Sequence, residues 1–528
     1  MLGTIIVVAS VFARQMDRVA SMDPAQCQSV YDSKAIQLVY ETPLNIDYYA
    51  RPYKLVPGAC ELPEVSDDGL RYIFRMAKDS KRTTAREDGK RTTAREDSKR
   101  TTARAQDVVR SLERLRDPEI VSPNGWYLKY VDTIKALDDE TVEIKMKKRQ
   151  HVFPWIMAMS GCGIMLPDGS GTGPYELTKW WKNHEMIFTR RAALASRSGY
   201  NGEGESLASR SEYNGGFDTV KFLVIDDMST QWLMFLKGEL DVLGEISQDN
   251  WDAVVDKDGR LSPELVRQGV VMHSMPTLSI MYVGINMKDP VLGTNKKLRQ
   301  ALNAAFDFEG WNRFYADRAV EAGGPVPPTV EGALPAETFK YRYNLELAKK
   351  LIAEAGYPDG IDPKTGRRLV LTISMGRASQ DARERAELMA SFYAKIGIKL
   401  ETQFYTWDAF LKAVNEGRVQ MFQMGWVGDY PDAENFLQLF HSSNVSPGAN
   451  HGCYVNPEYD RAYDAAMAAN NAEERNKYWR ECQEILREDC PWIFTHVPKS
   501  NSLVRPTVGN YIPSDFPYGQ EAHLESKK

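Results

Sequence analysis

The fold is decided by the stretch from Leu369 to Trp426, which reads LVLTISMGRASQDARERAELMASFYAKIGIKLETQFYTWDAFLKAVNEGRVQMFQMGW. Apolar side chains alternate with others over Leu369–Met375 and again over Ile398–Phe404. Alternation with a period of two predicts a β-strand in each segment, and Val419–Trp426 predicts a third.

Helices are predicted between these strands. Asp381 opens one that Gly397 closes, and Thr406 caps another that follows the second strand. Asn344 caps a further helix just before the stretch. Strands alternating with helices through short links predict right-handed crossovers and therefore a parallel sheet in an α/β fold. The same patterns predict strands at Leu278–Asn286 and Val220–Ile225, and helices at Lys297–Phe306 and Thr230–Lys237.

Two polar segments follow strands of this predicted sheet. Gly376 and Arg377 come after the first strand, and Gly428–Asp432 comes after the third. Ligands of open α/β sheets collect beyond the carboxyl ends of the strands. The sequence therefore predicts a binding site at this edge.

Composition excludes several classes of protein. The chain has 528 residues and a net charge of −6, which argues against a nucleic-acid-binding role. No apolar run reaches the roughly 18–20 residues of a membrane-spanning helix. Six cysteines in a chain of this length, with no Cys-x-x-Cys pair, predict neither a zinc site nor a disulfide framework, although one disulfide stays open.

The N-terminal segment has two interpretations. Leu2–Ala13 is an apolar run of about the length of a signal-peptide core, which predicts a signal segment over residues 1–22. The run lacks the usual preceding positive charges, so a buried first strand is the alternative.

Two local repeats interrupt the pattern. A basic nine-residue unit recurs over residues 79–105, and a second segment, residues 194–202, returns at residues 207–215 with a period of thirteen. Neither period belongs to a solenoid. The first array has no apolar residue except Ala, so it is expected to be a solvated loop or frayed helix.

Enzyme motifs are missing from the sequence. It has no Gly-x-Ser-x-Gly elbow, no His-Glu-x-x-His and no phosphate loop. His441 and His451 flank a loop, but a metal site would need a third ligand, so surface histidines are the better interpretation. No enzyme activity, cofactor or metal is predicted.

Collinear motifs resemble those of the family-5 extracellular solute-binding proteins of ABC transporters, the oligopeptide- and dipeptide-binding group. These motifs are LVPGAC (55–60), EVSDDGL (64–70), DVVRSLER (107–114), GTGPY (171–175), FDTVKFLVI (217–225), GELD (238–241), LRQALNAAFD (298–307), GPVPP (324–328), YNLELAKKLIAEAGY (343–357), GWVGDYPDAENF (425–436) and NPEYD (456–460). The resemblance covers roughly residues 23–515. The nine-residue repeats stand where members of the family normally have a different sequence.

The resemblance implies a two-lobed periplasmic-binding-protein fold of the class II type with an inserted domain and a ligand between the lobes. The implied parts are lobe 1 (23–50, 167–270 and 495–528), inserted domain II (51–166) and lobe 2 (271–494). It further implies an exported periplasmic monomer that delivers peptides to ABC permease subunits. An oligosaccharide, an opine or a metal chelate is the alternative cargo.

The resemblance also implies site residues. Asp429 matches the aspartate that receives a peptide's amino group, Trp426 matches an aromatic wall, and Arg377 lies near an arginine for the ligand carboxylate. Tyr405, Trp407 and Tyr430 are the candidate lining groups. Each has a plainer alternative: Asp429 and Asp432 as turn residues, Arg377 as a solvated loop residue, and the aromatic rings as core. Gln423 replaces an arginine that some oligopeptide binders carry.

Overall fold

The computed structural model describes residues 9–50, 53–77, 103–191, 216–256, 259–446, 448–469, 471–513 and 520–527. It forms two compact units: unit 1 comprises residues up to Met275 and from Ser500 onward, and unit 2 comprises Pro276–Lys499. The repeat over residues 194–215, and the basic nine-residue repeats up to residue 102, lie outside the described residues. In the described part of the chain, no helix is both long and apolar enough to cross a membrane.

The strands are β1 (Val11–Gln15), β2 (Leu44–Ile46), β3 (Leu55–Pro57), β4 (Glu64–Val65), β5 (Arg71–Arg75), β6 (Val131–Ala136), β7 (Thr141–Met146), β8 (Tyr175–Trp181), β9 (Glu185–Arg190), β10 (Thr219–Leu223), β11 (Val242–Leu243), β12 (Val271–Pro276), β13 (Ser279–Ile285), β14 (Ala319–Glu321), β15 (Val370–Met375), β16 (Lys399–Phe404), β17 (Met421–Val427), β18 (Trp492–Val504), β19 (Val508–Gly509) and β20 (Glu525–Ser526).

The α-helices are Val30–Val39, Ala105–Glu113, Phe153–Ile156, Met228–Lys237, Gln248–Val254, Pro263–Arg267, Lys296–Ala305, Phe308–Phe314, Leu345–Glu354, Gln380–Ala394, Trp407–Asn415, Glu434–Leu437, Pro457–Ala468 and Ala472–Asp489. Single 3₁₀ turns lie at Pro24–Gln26, Arg114–Arg116, Gly125–Leu128, Ser160–Cys162, Ala336–Thr338, Pro358–Gly360, Gln438–Phe440, Ser442–Asn444 and Gln520–His523.

The main sheet of unit 1 contains β1 as an inner strand. β1 pairs in parallel with β10 on one side and with β11 on the other, and Phe12 is fully buried. This is the buried-strand alternative for the N-terminal run. The signal segment over residues 1–22 stays a prediction, and Val11–Gln15 of that range is a strand of this sheet. A short apolar run has the same pattern in a buried strand and in a signal core, so the sequence could not separate the two.

A second, antiparallel sheet of unit 1 has the strand order β4-β5-β7-β6. The amphipathic helix Ala105–Glu113 lies against β6 and β7 and buries Val108, Val109 and Leu112. These strands fall inside the predicted domain II (51–166), but they are part of unit 1. The separation of a domain II stays a prediction, and the predicted lobe boundaries lie a few residues before the boundaries of the units.

The sheet of unit 2 has the strand order β16-β15-β17-β13-β18. β15 pairs in parallel with both β16 and β17, which confirms the parallel sheet predicted for this stretch. β13 and β18 run antiparallel, so the sheet as a whole is mixed.

Helices pack on this sheet as their apolar faces predict. Ala382 and Ala386, on the helix Gln380–Ala394, form a buried cluster with Met375 of β15, and Phe404 of β16 packs against it. Asn344 caps the helix Leu345–Glu354 by accepting from the Leu347 amide at 3.0 Å, as predicted. Ser379, not Asp381, is the N-cap of the helix Gln380–Ala394.

All six cysteines are buried, and all six are free thiols in the structure. Cys482 and Cys490 lie on and just after the helix Ala472–Asp489. Burial raises the pKa of the Cys27 thiol to about 11 and that of Cys60 to about 12. These thiols are therefore protonated at neutral pH and behave as small apolar side chains.

Candidate functional site

The loop after β17 leaves the sheet at Gly428, where the backbone is crowded. The Gly428 amide donates to the Leu278 carbonyl at 2.7 Å. A Cβ atom on Gly428 would lie 2.8 Å from Leu278 Cγ and 2.9 Å from Phe436 Cζ. Any side chain at this position would force Leu278 or Phe436 to shift. The crowding therefore fixes the backbone position from which the next residue, Asp429, follows.

Asp429 is half-buried at the carboxyl end of β17. One carboxylate oxygen, Oδ2, accepts from Asn435 Nδ2 at 3.2 Å. Among the described residues, no basic side chain lies within ion-pair distance of this carboxylate. Burial raises the pKa of Asp429 above its ordinary value, and the bond from Asn435 offsets only part of that effect. The site thus holds a desolvated carboxylate whose positive partner is not supplied by the described chain.

Asn435 is the residue that organises this loop. It is fully buried on the short helix Glu434–Leu437. Its Oδ1 accepts from Trp426 Nε1 at 2.9 Å and from the Asp429 amide at 3.1 Å. The amide side chain therefore fixes both the predicted aromatic wall and the predicted ligand carboxylate. Sequence reasoning missed Asn435. The available signal was a polar residue directly before an apolar run, which suggests a buried side chain with internal partners.

Asp432 takes the turn role that was the alternative for both aspartates. Its Oδ1 accepts from the Glu434 amide at 2.9 Å, which is a local turn bond. The bonds of Asp429 are different, because its carboxylate accepts from the Asn435 side chain six residues later. The ligand role of Asp429 itself stays a prediction.

Behind this loop lies a buried hydrogen-bonded group built on Glu434. Tyr430 Oη donates to Glu434 Oε2 at 2.5 Å, and Tyr463 Oη donates to Glu434 Oε1 at 2.7 Å. Burial raises the pKa of Glu434 to about 7 despite these donors. Tyr430 is itself buried, so in this structure it supports the loop from behind, and its contact with a ligand stays a prediction.

The other three predicted residues follow β15 and β16. Arg377 is exposed two residues after β15. Tyr405 is half-buried and donates from Oη to Gln403 at 2.8 Å. Trp407 is 52% exposed, and a Cβ atom on Gly376 would lie 2.7 Å from Trp407 Cε3. The Trp407 ring therefore covers the backbone at Gly376, while the residue as a whole stays exposed.

Strand register brings these loops to one edge of the unit 2 sheet. Met375 at the end of β15 pairs with Phe404 at the end of β16 and with Gln423 of β17. All six predicted site residues therefore follow, or end, adjacent parallel strands. That these residues contact one ligand together stays a prediction.

The two loop histidines have ordinary partners. His441 Nδ1 lies 2.7 Å from Ser443 Oγ, and His451 Nδ1 lies 3.1 Å from Asn415 Oδ1. No group of three or more metal-ligating side chains occurs among the residues that the structure describes.

Comparison with known protein families shows which family the chain belongs to. The model of the bacterial extracellular solute-binding proteins, family 5 Middle, matches residues 54–448, which is more than half of the chain. The chain belongs to this family. Members of it are solute-binding proteins of ABC transporters, so the chain is a binding protein and not an enzyme.

Relatives of the chain are named for different ligands. Heme-binding protein A of Haemophilus influenzae is 27% identical over 492 residues, covering 88% of this chain and 82% of the relative. The dipeptide-binding protein of Escherichia coli is 24% identical, covering 92% and 88%.

Solved structures share the fold. HbpA2 of Haemophilus parasuis has a TM-score of 0.79 at 22% identity and covers 98% of this chain and 100% of its own. DppA of Helicobacter pylori, a periplasmic binding protein in complex with the peptide STSA, has a TM-score of 0.70 at 23% identity, with 98% of each chain covered. The α/β periplasmic-binding-protein fold predicted from the sequence is thus confirmed.

Proposed function

We propose that this chain is the periplasmic substrate-binding component of an ABC importer, which binds di- or oligopeptides and delivers them to the membrane permease. One observation carries the proposal. Asp429 is a half-buried carboxylate at the ligand edge of a parallel sheet, and no described cation pairs with it. A peptide's ammonium group has the charge and the donors that this carboxylate lacks.

The electrostatic environment of Asp429 favours a positively charged group on the ligand. The raised pKa of Asp429 shows that the folded protein disfavours its charged form, because burial removes water from it. An ammonium group within hydrogen-bond reach would stabilise the charged form. Binding is therefore expected to lower the pKa of Asp429 and to release a proton wherever that carboxyl is partly protonated.

Flat aromatic surfaces support the same proposal. Trp426 is half-buried and held by Asn435, and Trp407 is about half exposed. Rings placed in this way can pack against the aliphatic parts of a peptide ligand without selecting for particular side chains. Arg377, exposed beyond β15, is the predicted partner for a ligand carboxylate.

The test is titration calorimetry of the purified protein with a panel of di- to pentapeptides, after native mass spectrometry has identified any retained cargo. We expect micromolar or tighter binding of at least one peptide class, a rise in melting temperature, and no turnover. A protein that binds no member of the panel, and that releases a non-peptide cargo on unfolding, would contradict the proposal.

Heme is the second candidate cargo, favoured by the similarity to heme-binding protein A. Oligosaccharide, opine and metal-chelate cargoes remain the alternatives from the sequence. A titration with hemin followed by Soret absorbance separates heme from peptides. Heme carries no ammonium group, so its binding is expected to be insensitive to Asp429→Asn, whereas peptide binding is expected to depend on Asp429.

A further inference from the structure

Glu434 is a buried acid directly behind the loop that carries Asp429. It begins the short helix Glu434–Leu437 and is 7% exposed. Tyr430 Oη donates to its Oε2 at 2.5 Å, and Tyr463 Oη donates to its Oε1 at 2.7 Å. In the described part of the chain, no basic side chain lies within ion-pair distance of either oxygen. Two neutral phenols therefore hold this carboxyl group without a cation.

The two phenol bonds fit the ionised form of Glu434. A carboxylate accepts with both oxygens, whereas a protonated carboxyl carries a hydrogen on one of them. Protonation therefore takes the acceptor from one phenol or forces its hydroxyl to turn. Tyr430 is buried and directly follows Asp429 in the chain. The protonation state of Glu434 thus acts on the residue next to the proposed ligand carboxylate.

Acids and phenols from two elements face Glu434. They are Asp429, Tyr430 and Asp432 of the same loop, and Tyr459 and Tyr463 of the helix Pro457–Ala468. Further out lie Arg475 and Glu331 beside Asp432, Cys482 beside Tyr459, and His441 against the Tyr463 ring. The one guanidinium of this set, Arg475, is 4.0 Å from Asp432. The surroundings of Glu434 are therefore poor in positive charge.

A cation bound at Asp429 would change this balance. Burial raises the pKa of Glu434 to about 7, and repulsion by Asp432 and Asp429 adds to that rise. Glu434 therefore exchanges its proton in the neutral pH range. A nearby ammonium group stabilises the ionised form and lowers the pKa again. Because coupling between two bound species is reciprocal, ionised Glu434 must bind the ammonium more tightly than protonated Glu434 does.

We infer that Glu434 is a positioning residue that couples ligand binding to the release of a proton. Its ionised form holds Tyr430 and attracts the ligand's ammonium group, and its protonated form frees one phenol. The proton that leaves Glu434 passes to the solvent. The inference rests on the proposed function, because it needs a cation at Asp429. It makes the affinity for the ligand rise with pH through the neutral range.

The experiment is titration calorimetry with the tightest-binding peptide of the di- to pentapeptide panel, from about pH 6 to about pH 8. Runs in two buffers of different ionisation enthalpy count the released protons. We expect the parent's affinity to rise with pH, up to about 10-fold for each unit by which the ligand lowers the pKa of Glu434. Glu434→Gln should bind like the parent at the low end and several-fold more weakly at the high end. The peptide's own amino group titrates equally with both proteins, so their difference isolates Glu434.

Tyr463→Phe tests the coupling away from the ligand loop. It removes a donor that stabilises the ionised form of Glu434, so the midpoint of the affinity profile should move to higher pH. Tyr459→Phe is the matched control, because Tyr459 Oη donates to the Leu437 carbonyl at 2.5 Å and not to Glu434. A purely structural role would weaken binding at every pH and move no midpoint.

The inference is wrong, while peptide binding stands, if Glu434→Gln keeps the shape of the parent's pH profile at the same or a uniformly lower affinity. An unchanged midpoint in Tyr463→Phe contradicts it equally, and this variant decides the question if the melting curve shows that Glu434→Gln does not fold. If the parent binds no peptide of the panel at any pH, the proposed function fails and the inference fails with it.

Discussion

Asn435 donates from Nδ2 to the Asp429 carboxylate at 3.2 Å and accepts with Oδ1 from the Asp429 amide at 3.1 Å. One buried side chain thereby holds both the backbone and the side chain of the residue proposed to bind the ligand's ammonium group. The same Oδ1 accepts from Trp426. The position of Asp429 is consequently a property of the folded loop.

Replacing Asn435 should therefore harm both stability and binding. Asn435→Ala leaves the Trp426 Nε1–H and the Asp429 N–H without their acceptor, and each loss costs about 1–3 kcal/mol where the donor stays buried. We expect a lower free energy of unfolding in urea and weaker peptide binding. Gln438→Ala is the matched control, because its Nε2 makes only a 3.4 Å bond to the Asn435 carbonyl. Equal effects of the two changes would contradict the role given to Asn435.

Glu434 should make the stability of the protein depend on pH. Its folded pKa of about 7 lies above its ordinary value of 4.5. The folded state therefore binds more protons than the unfolded state between these pH values, and stability falls as pH rises from about 4.5 to 7. The full effect is on the order of 3 kcal/mol as an upper limit.

The measurement is urea unfolding of the parent and Glu434→Gln at several pH values between 4 and 8. The difference between the two proteins isolates Glu434 from other groups, such as His523, whose lowered pKa acts in the opposite direction. We expect Glu434→Gln to gain stability relative to the parent as pH rises. A difference that does not change with pH would show that Glu434 titrates normally.

Gly428 is predicted to tolerate no side chain. Gly428→Ala places a methyl group against Leu278 and Phe436 at less than 3 Å, and such overpacking typically costs about 1–3 kcal/mol. Gly324→Ala is the matched control in the same unit, since the nearest atom to its Cβ is Arg487 Cγ at 4.0 Å. Thermal unfolding should show a clear loss for Gly428→Ala alone. Similar melting temperatures for the two variants would mean that the loop adapts easily.

Trp407 should matter for binding more than for stability. The residue is half exposed, so Trp407→Leu removes little buried area and is expected to change the free energy of unfolding by less than about 1 kcal/mol. Loss of an aromatic contact of a ligand is worth about 0.5–1.5 kcal/mol, or several-fold in affinity. Trp181→Leu, in unit 1 and 56% exposed, is the control. If both variants bind peptide like the parent, Trp407 does not line the site.

The sequence predicted the unit 2 sheet well because its signals are local. Alternating apolar residues, the Asn344 cap and the short links are each set by a few neighbouring residues, and β15, β16 and β17 pair as expected. The position of Asp429 after β17 followed from the same pattern.

What the sequence could not supply depends on contacts between distant segments. Asn435, Glu434 and Tyr463 form one buried group only after the helix Pro457–Ala468 packs behind the loop. The sequence could not decide whether the N-terminal apolar run is a signal segment or a strand. Only the pairing of β1 with β10 and β11 shows that Val11–Gln15 is a strand.

The most direct test of the account is the affinity of the parent and of Asp429→Asn for one peptide with a free amino terminus and for its N-acetylated form. Asn is close to Asp in size and lacks the charge, so the loop bonded to Asn435 should persist. We expect the parent to prefer the free amine, and Asp429→Asn to lose at least about 10-fold in affinity for it and to bind the acetylated form nearly as the parent does. Equal affinity of the two proteins for the free amine would contradict the claim that Asp429 receives the ligand's ammonium group.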